Sequence, residues 1–341
     1  MDEPIITAVI GAGYWGRNYV RNLASFPGSE LRWVCDKEEE AHRRAHRMAP
    51  EARLTAELDE VLADPAVQAV VIATNAVHHH AHTMAALRAG KHVLVEKPMA
   101  VTVAHAEEMV AQAEAAGLVL MVGHLMLYHP AVEKLREIVT SGELGQIYYM
   151  YALRVNLGRI RSDENALWSF APHDLSIIRY LLDAEPTTVW ARGECYLQPG
   201  VEDVVFVNLQ FPDRTMAQIQ LSWLDPRKER RLTVVGSRKM VVFDDSHATE
   251  KLRIYDKGFD RPPEYDSYGD YLSIRNGDIH IPHLDLVEPL AVECRHFLNA
   301  IVDGASSRTS CRDGLEVVRI LAAAERSLQD GGRPVEIIRP G

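Results

Sequence analysis

Short β-branched and aliphatic runs alternate with stretches of helical spacing along the first third of the chain. Ile5-Ile-Thr-Ala-Val-Ile10, Glu30-Leu-Arg-Trp-Val-Cys35, Ala69-Val-Val-Ile-Ala-Thr74, the run 92–95 and Leu118-Val-Leu-Met-Val122 read as buried strands. Residues 17–24, 57–62, 83–89 closed by Gly90, and 103–116 closed by Gly117 read as helices between them. Strand and helix in regular alternation predict an α/β domain built on a doubly wound parallel sheet.

After Gly123 the pattern changes. A helix over 131–139 stops at Ser141-Gly142, and Gln146-Ile-Tyr-Tyr-Met-Tyr-Ala-Leu-Arg-Val155 reads as a long strand rich in aromatic and β-branched residues. Strand-like runs follow at 188–191, 204–211, 215–223, 231–235 and 240–243, with turn residues at Pro212-Asp213 and Gly236-Ser237. Hairpin-linked runs predict an α+β domain on a large, mostly antiparallel open sheet. The expected division is a first domain over 1–125 and a second over 126–341. A sheet with one face left bare suits association of copies, so a homodimer or homotetramer through this sheet is expected. Two amphipathic closing helices, about 289–301 and 313–328, are expected to pack back on the first domain.

Composition narrows the classes. A chain of 341 residues suits two domains, and 47% hydrophobic with 25% charged residues is an ordinary globular balance. A net charge of −11 with no polybasic patch argues against a nucleic-acid surface. Met1-Asp-Glu-Pro leads straight into a strand, so neither a signal peptide nor a membrane span is expected. Cys35, Cys195, Cys294 and Cys311 show no metal or disulfide spacing, which points to a reducing cytoplasm.

Three stretches carry candidate chemistry. Gly11-Ala-Gly-Tyr-Trp-Gly16 sits between the first strand and its helix: Gly11 for the turn, Gly13 for close approach to a pyrophosphate, Gly16 for helix packing. Tyr14 and Trp15 lie in the same loop. Asp36 ends the second strand, where an acidic residue accepts from the ribose hydroxyls, which favours NAD; the adjacent Lys37 keeps NADP as the alternative. Val93-Leu-Val-Glu-Lys-Pro-Met99 delivers Glu96 and Lys97 to the carboxyl edge of the sheet, where ligands bind. Lys97 is placed either for chemistry or to snorkel into solvent. The cluster His78, His79, His80 and His82 has no acidic or cysteine companion, and no metal is expected there.

In the second half, Asn165-Ala-Leu-Trp-Ser-Phe-Ala-Pro-His-Asp174 opens a helix over 175–182. His173 is expected in its first turn, where the helix end keeps imidazole neutral and able to accept a proton. Asp174 reads as a helix-end charge. Arg154, Arg159 and Arg161 gather with Asn156 just upstream, as forks for phosphate or carboxylate oxygens or as exposed loop charge.

The glycine loop, Ala73-Thr-Asn75 with His79 downstream, and above all Ala89-Gly-Lys-His-Val-Leu-Val-Glu-Lys-Pro98 resemble the glucose-fructose oxidoreductase and inositol dehydrogenase family, Gfo/Idh/MocA. The resemblance covers nearly the whole chain. It implies a Rossmann domain followed by an α+β domain, and a cofactor held by Gly11, Gly13, Tyr14, Trp15, Gly16, Asp36, Thr74, Asn75, His79, Glu96 and Lys97. It also implies a cis Lys97-Pro98 bond, a Lys97 that contacts both substrate and nicotinamide, and His173 as acid or base. Relatives often hold an aspartate four residues before that histidine; here the position is Ser169, which puts a carboxylate relay in doubt. Trp168 and Ser169 join Lys97, His173, Asn156 and the three arginines as expected substrate contacts.

The stretch around His173 and Ser222-Trp-Leu-Asp-Pro-Arg-Lys228 is similar to the branch acting on nucleotide-linked sugars. The resulting expectation is NAD-dependent oxidation of a ring hydroxyl, the 3-hydroxyl, of a UDP-hexose or UDP-N-acetylhexosamine. Alternatives are an NADPH-dependent ketoreductase, an inositol or free-sugar dehydrogenase, an NAD-using glycosidase and a cofactor-binding regulator.

Overall fold

The computed structural model describes residues 3–158, 160–161, 164–260, 273–304 and 307–339. The described residues of Met1–Tyr128 and Val287–Arg319 make one compact unit, and those of His129–Leu286 and Ile320–Gly341 make a second.

In the first unit β1 (Ile5–Ile10), α1 (Gly16–Ser25), β2 (Ser29–Cys35), α2 (Glu39–Met48), β3 (Arg53–Thr55), α3 (Leu58–Ala63), β4 (Ala69–Ile72), α4 (His79–Arg88), β5 (His92–Glu96), α5 (Val103–Ala116) and β6 (Leu120–Gly123) follow in sequence. Six parallel strands lie in the order β3-β2-β1-β4-β5-β6. Every residue of β4 and β6 is buried, as expected of strands covered on both faces. Because β1 pairs with β2 on one side and β4 on the other, the chain reverses its direction of winding there. In open α/β sheets the place of such a reversal, beyond the carboxyl ends of β1 and β4, is where ligands bind.

Helices cover this sheet with small and aliphatic side chains. Tyr19, Val20 and Leu23 of α1 are fully buried, and Ala41 and Ala45 of α2 join the same core. Helix α5 closes on Gly117, where the backbone turns left-handed with φ 63°.

The second unit comprises α6 (Pro130–Thr140), β7 (Ile147–Leu157), α7 (Ala166–Leu182), β8 (Thr188–Glu194), β9 (Val204–Gln210), β10 (Met216–Ser222), β11 (Leu224–Gly236), β12 (Met240–Asp244), β13 (Leu252–Asp260) and β14 (Ser273–His280). The chain then forms α8 (Pro289–Asp303), which belongs to the first unit, α9 (Cys311–Gln329), and β15 (Val335–Glu336), which returns to the second sheet. Nine strands take the order β14-β13-β12-β11-β7-β10-β9-β8-β15, antiparallel except for β10 with β7. Met150, Ala152, Val207, Leu209 and Ile219 are buried on one side. Tyr149, Tyr151, Phe206 and Met216 alternate to the other, 36–51% exposed.

Two expectations need correction. The cofactor domain does not end at 125, because Leu290, Cys294, Phe297 and Leu298 of α8 complete its core. The helix expected over 289–301 does pack on the first domain, and does so closely enough to be part of it. In α9, Gly314 permits close packing on β6: a Cβ there would lie 2.5 Å from Val122 Cγ2. The second sheet also extends through β13 and β14, whose charged residues and internal glycines, Gly258 and Gly277, obscure the period-two alternation.

Candidate active site

The glycine loop is shaped by contacts that only hydrogen permits. Gly11 has φ +87°, and a Cβ on Gly16 would sit 1.8 Å from the Gly11 carbonyl oxygen. At Gly13 a Cβ would meet nothing within 4 Å, so this side of the loop is open. Asp36 is fixed at the end of β2: its Oδ2 accepts from the Ala12 N–H at 2.7 Å and its Oδ1 from the Glu38 N–H at 2.9 Å. An open backbone cradle, the amino end of α1 and a carboxylate at the second strand together fit the pyrophosphate and ribose of a dinucleotide. Tyr14 is 80% exposed beside that cradle, with the Arg17 guanidinium 5.1 Å from its ring centre.

Several expected cofactor contacts turn inward instead. His79 is 1% exposed; its Nδ1 lies 2.8 Å from the Pro98 carbonyl oxygen and its Nε2 3.0 Å from that of Thr74. A proton on either nitrogen therefore finds a carbonyl, and burial holds the ring's pKa below its ordinary value. His79 thus ties the turn after β4 to the turn after β5. Glu96 is 8% exposed; Oε1 receives the Trp15 indole and Tyr19 hydroxyl protons, and Oε2 the Lys97 backbone N–H at 3.0 Å. Its link to the cofactor loop runs through Trp15. Thr74 Oγ1 lies 3.3 Å from His82 Nδ1, and Asn75 is exposed. Lys97 is partly exposed at the carboxyl end of β5, and the Lys97-Pro98 bond is cis.

The other three histidines of the cluster each stack on a histidine ring. His78 stacks on His82 at 5.6 Å, and His80 stacks on His105 at 4.0 Å while meeting Glu108. Among the described residues no three His, Cys, Asp or Glu side chains are grouped to hold a metal ion.

In the second unit, α7 starts at Ala166, with Asn165 Oδ1 accepting from the Trp168 N–H. His173 therefore lies in the third turn rather than the first, and the helix-end argument for a neutral imidazole does not apply to it. Ser169 is one turn earlier on the same face, 8% exposed, and places no charge there. Trp168 donates its indole proton to Glu325, while Asn165 Nδ2 donates to Glu202 and Glu325.

The arginine group is not one cluster. Arg154 is 5% exposed and grips Asp174 by two bonds, Nε to Oδ2 at 2.6 Å and Nη2 to Oδ1 at 2.9 Å. Burial works against the Arg154 charge, and the Asp174 carboxylate more than offsets it, so its pKa is raised. Asp174 is the buried half of an ion pair, not a helix-end charge, and Arg154 faces it rather than solvent. Arg161 is exposed and pairs with Glu164 at 2.9 Å; Asn156 is half-buried; Arg159 lies outside the described residues.

Residues 5–124 match the oxidoreductase family with NAD-binding Rossmann fold, and residues 132–242 match the GFO/IDH/MocA C-terminal domain. The chain is 30% identical over 321 residues to UDP-N-acetylglucosamine 3-dehydrogenase of Acidithiobacillus ferrooxidans, covering 93% of this chain and 94% of that one. A solved structure of that enzyme aligns with a TM-score of 0.82 at 26% identity, over 96% and 98% of the two chains. Inositol 2-dehydrogenase 2 of Paenarthrobacter aurescens is 31% identical over 229 residues, 64% of this chain and 68% of that one. A protein of gentamicin A biosynthesis solved in complex with NAD aligns with a TM-score of 0.84 at 26% identity, over 99% and 98%.

Proposed function

We propose, since this chain belongs to the Gfo/Idh/MocA oxidoreductase family, that it oxidises the 3-hydroxyl of a nucleotide-linked sugar such as a UDP-hexose or UDP-N-acetylhexosamine. The observation that carries this reading is the 30% identity, over nearly the full length of both chains, to a UDP-N-acetylglucosamine 3-dehydrogenase. Bound NAD supplies the hydride acceptor. The glycine loop holds the pyrophosphate, and Asp36 accepts from the ribose hydroxyls. His173 takes the proton of the reacting hydroxyl on its imidazole, and Lys97 stabilises the alkoxide that develops as the carbon becomes a ketone. The aromatic face at Tyr149, Tyr151 and Phe206 is the surface through which copies would associate as a homodimer or homotetramer.

A second reading is favoured by the inositol dehydrogenase match and by Arg154, whose engagement with Asp174 leaves fewer cations for a diphosphate. A thermal-shift panel separates the two, because a ligand that binds only the folded state raises its melting temperature. With NAD present, UDP-N-acetylglucosamine should stabilise the protein while inositol does not. Stabilisation by inositol or a free sugar alone would select the second reading.

The cofactor assignment has its own test. Asp36→Ala should weaken NADH binding by about tenfold and leave NADPH binding little changed, since only the former loses a hydroxyl acceptor of about 1.5 kcal/mol. Fluorescence titration showing a native preference for NADPH would overturn it.

A further inference from the structure

The first unit buries a group of polar side chains that hydride transfer does not use. Tyr19 on α1 and Glu293 on α8 are both 0% exposed, and Glu96 ends β5 beside them. The Tyr19 hydroxyl lies 2.7 Å from Glu96 Oε1 and 3.0 Å from Glu293 Oε2. A phenol has a single proton to donate. It cannot serve two carboxylates, so one carboxyl brings a proton of its own.

The donors decide which. Glu96 accepts from the Trp15 indole, the Tyr19 hydroxyl and the Lys97 backbone, and the Lys97 charge acts on it; these oppose the burial that raises its pKa. Glu293 meets only Tyr19, and its Oε1 is buried with no hydrogen-bond partner among the described residues. Cys294 is its neighbour in α8 and Tyr128 lies within electrostatic reach, with Arg308 over the Tyr128 ring. Burial, then the nearby Glu96 charge, push the Glu293 pKa well above the usual carboxyl range. Two carboxyls sharing one hydroxyl keep one negative charge between them.

We propose that Glu293, Tyr19 and Glu96 form a proton relay: protonated Glu293 donates to Tyr19, Tyr19 donates to Glu96, and Glu96 alone holds negative charge behind Lys97. The relay step balances within the three residues. A proton moves from Glu293 Oε2 to Tyr19 Oη as the phenol's own proton passes to Glu96 Oε1, so the charge moves to Glu293 and no proton is drawn from water. Tyr19 and Glu293 are positioning residues that set the charge beside Lys97, a role that rests on Lys97 being catalytic.

Infrared spectroscopy of the full chain without substrate tests the proton's location, independently of any activity. At neutral pH exposed carboxyls are ionised, so the carbonyl band of a protonated carboxylic acid reports buried ones. The band should be present in the native protein, disappear in Glu293→Gln, and change frequency in Tyr19→Phe, which removes its acceptor. A native protein without the band, or a band that survives Glu293→Gln, overturns the relay. Its effect on Lys97 is read from the pH dependence of kcat in Tyr19→Phe. Loss of one donor to the Glu96 carboxylate should move the acid limb up by about one pH unit with KM for NAD unchanged. An unmoved limb would reduce the three residues to packing.

Discussion

Replacing Lys97 with alanine is expected to lower kcat by about a hundredfold or more, and replacing His173 with alanine by a similar factor. In the proposed reaction both groups act where charge develops as the hydroxyl becomes a ketone, so their loss falls on turnover. Neither is part of the glycine loop or of Asp36, so titration of NADH should give nearly native affinity in both variants. The double variant should be little worse than the poorer single one, because groups serving one proton transfer act as a unit. Steady-state kinetics with the substrate found in the thermal-shift panel measure all three. Should His173→Ala keep most of its turnover while Lys97→Ala loses it, the lysine alone would be the acid–base group.

The largest stability effect is expected at Arg154 and Asp174. Both side chains are nearly buried, and two short bonds join them in the second unit. Removing either partner leaves an unpaired charge out of water, which costs about 3–5 kcal/mol. Arg154→Ala or Asp174→Ala should therefore lower the urea midpoint sharply. Arg154→Met combined with Asp174→Leu should recover much of the loss, since an apolar pair needs no compensation. A loss below about 1 kcal/mol in the single variants would mean that water reaches the pair.

The parallel sheet, the glycine loop and the carboxylate at Asp36 were legible because each rests on local rules of strand burial and turn chemistry. The directions of side chains were not. Glu96 sits one residue before Lys97, yet it turns to Trp15 and Tyr19, while His79 spans Thr74 and Pro98. Proline inside a helix is disfavoured, and Pro172 directly precedes His173. In the structure it is tolerated inside α7, which begins at Ala166 and buries Leu167, Ala171 and Leu175. Asp174 reads as a helix-end charge in the sequence because its partner lies 20 residues earlier on another element. Glu293 did leave a trace in the sequence. Leu290, Glu293, Cys294 and Phe297 share one helical stripe, and a carboxyl inside an apolar stripe signals a buried proton or a partner.

In the proposed reaction hydride passes from a ring carbon of a nucleotide-linked sugar to NAD. The most direct measurement uses UDP-N-acetylglucosamine deuterated at C3, incubated with the protein and NAD, with the nicotinamide analysed by mass spectrometry. The expected result is reduced cofactor carrying the deuterium and a 3-keto sugar in equal amount. Reduced cofactor without the label, or no reduction of NAD by any UDP-linked sugar, would contradict it.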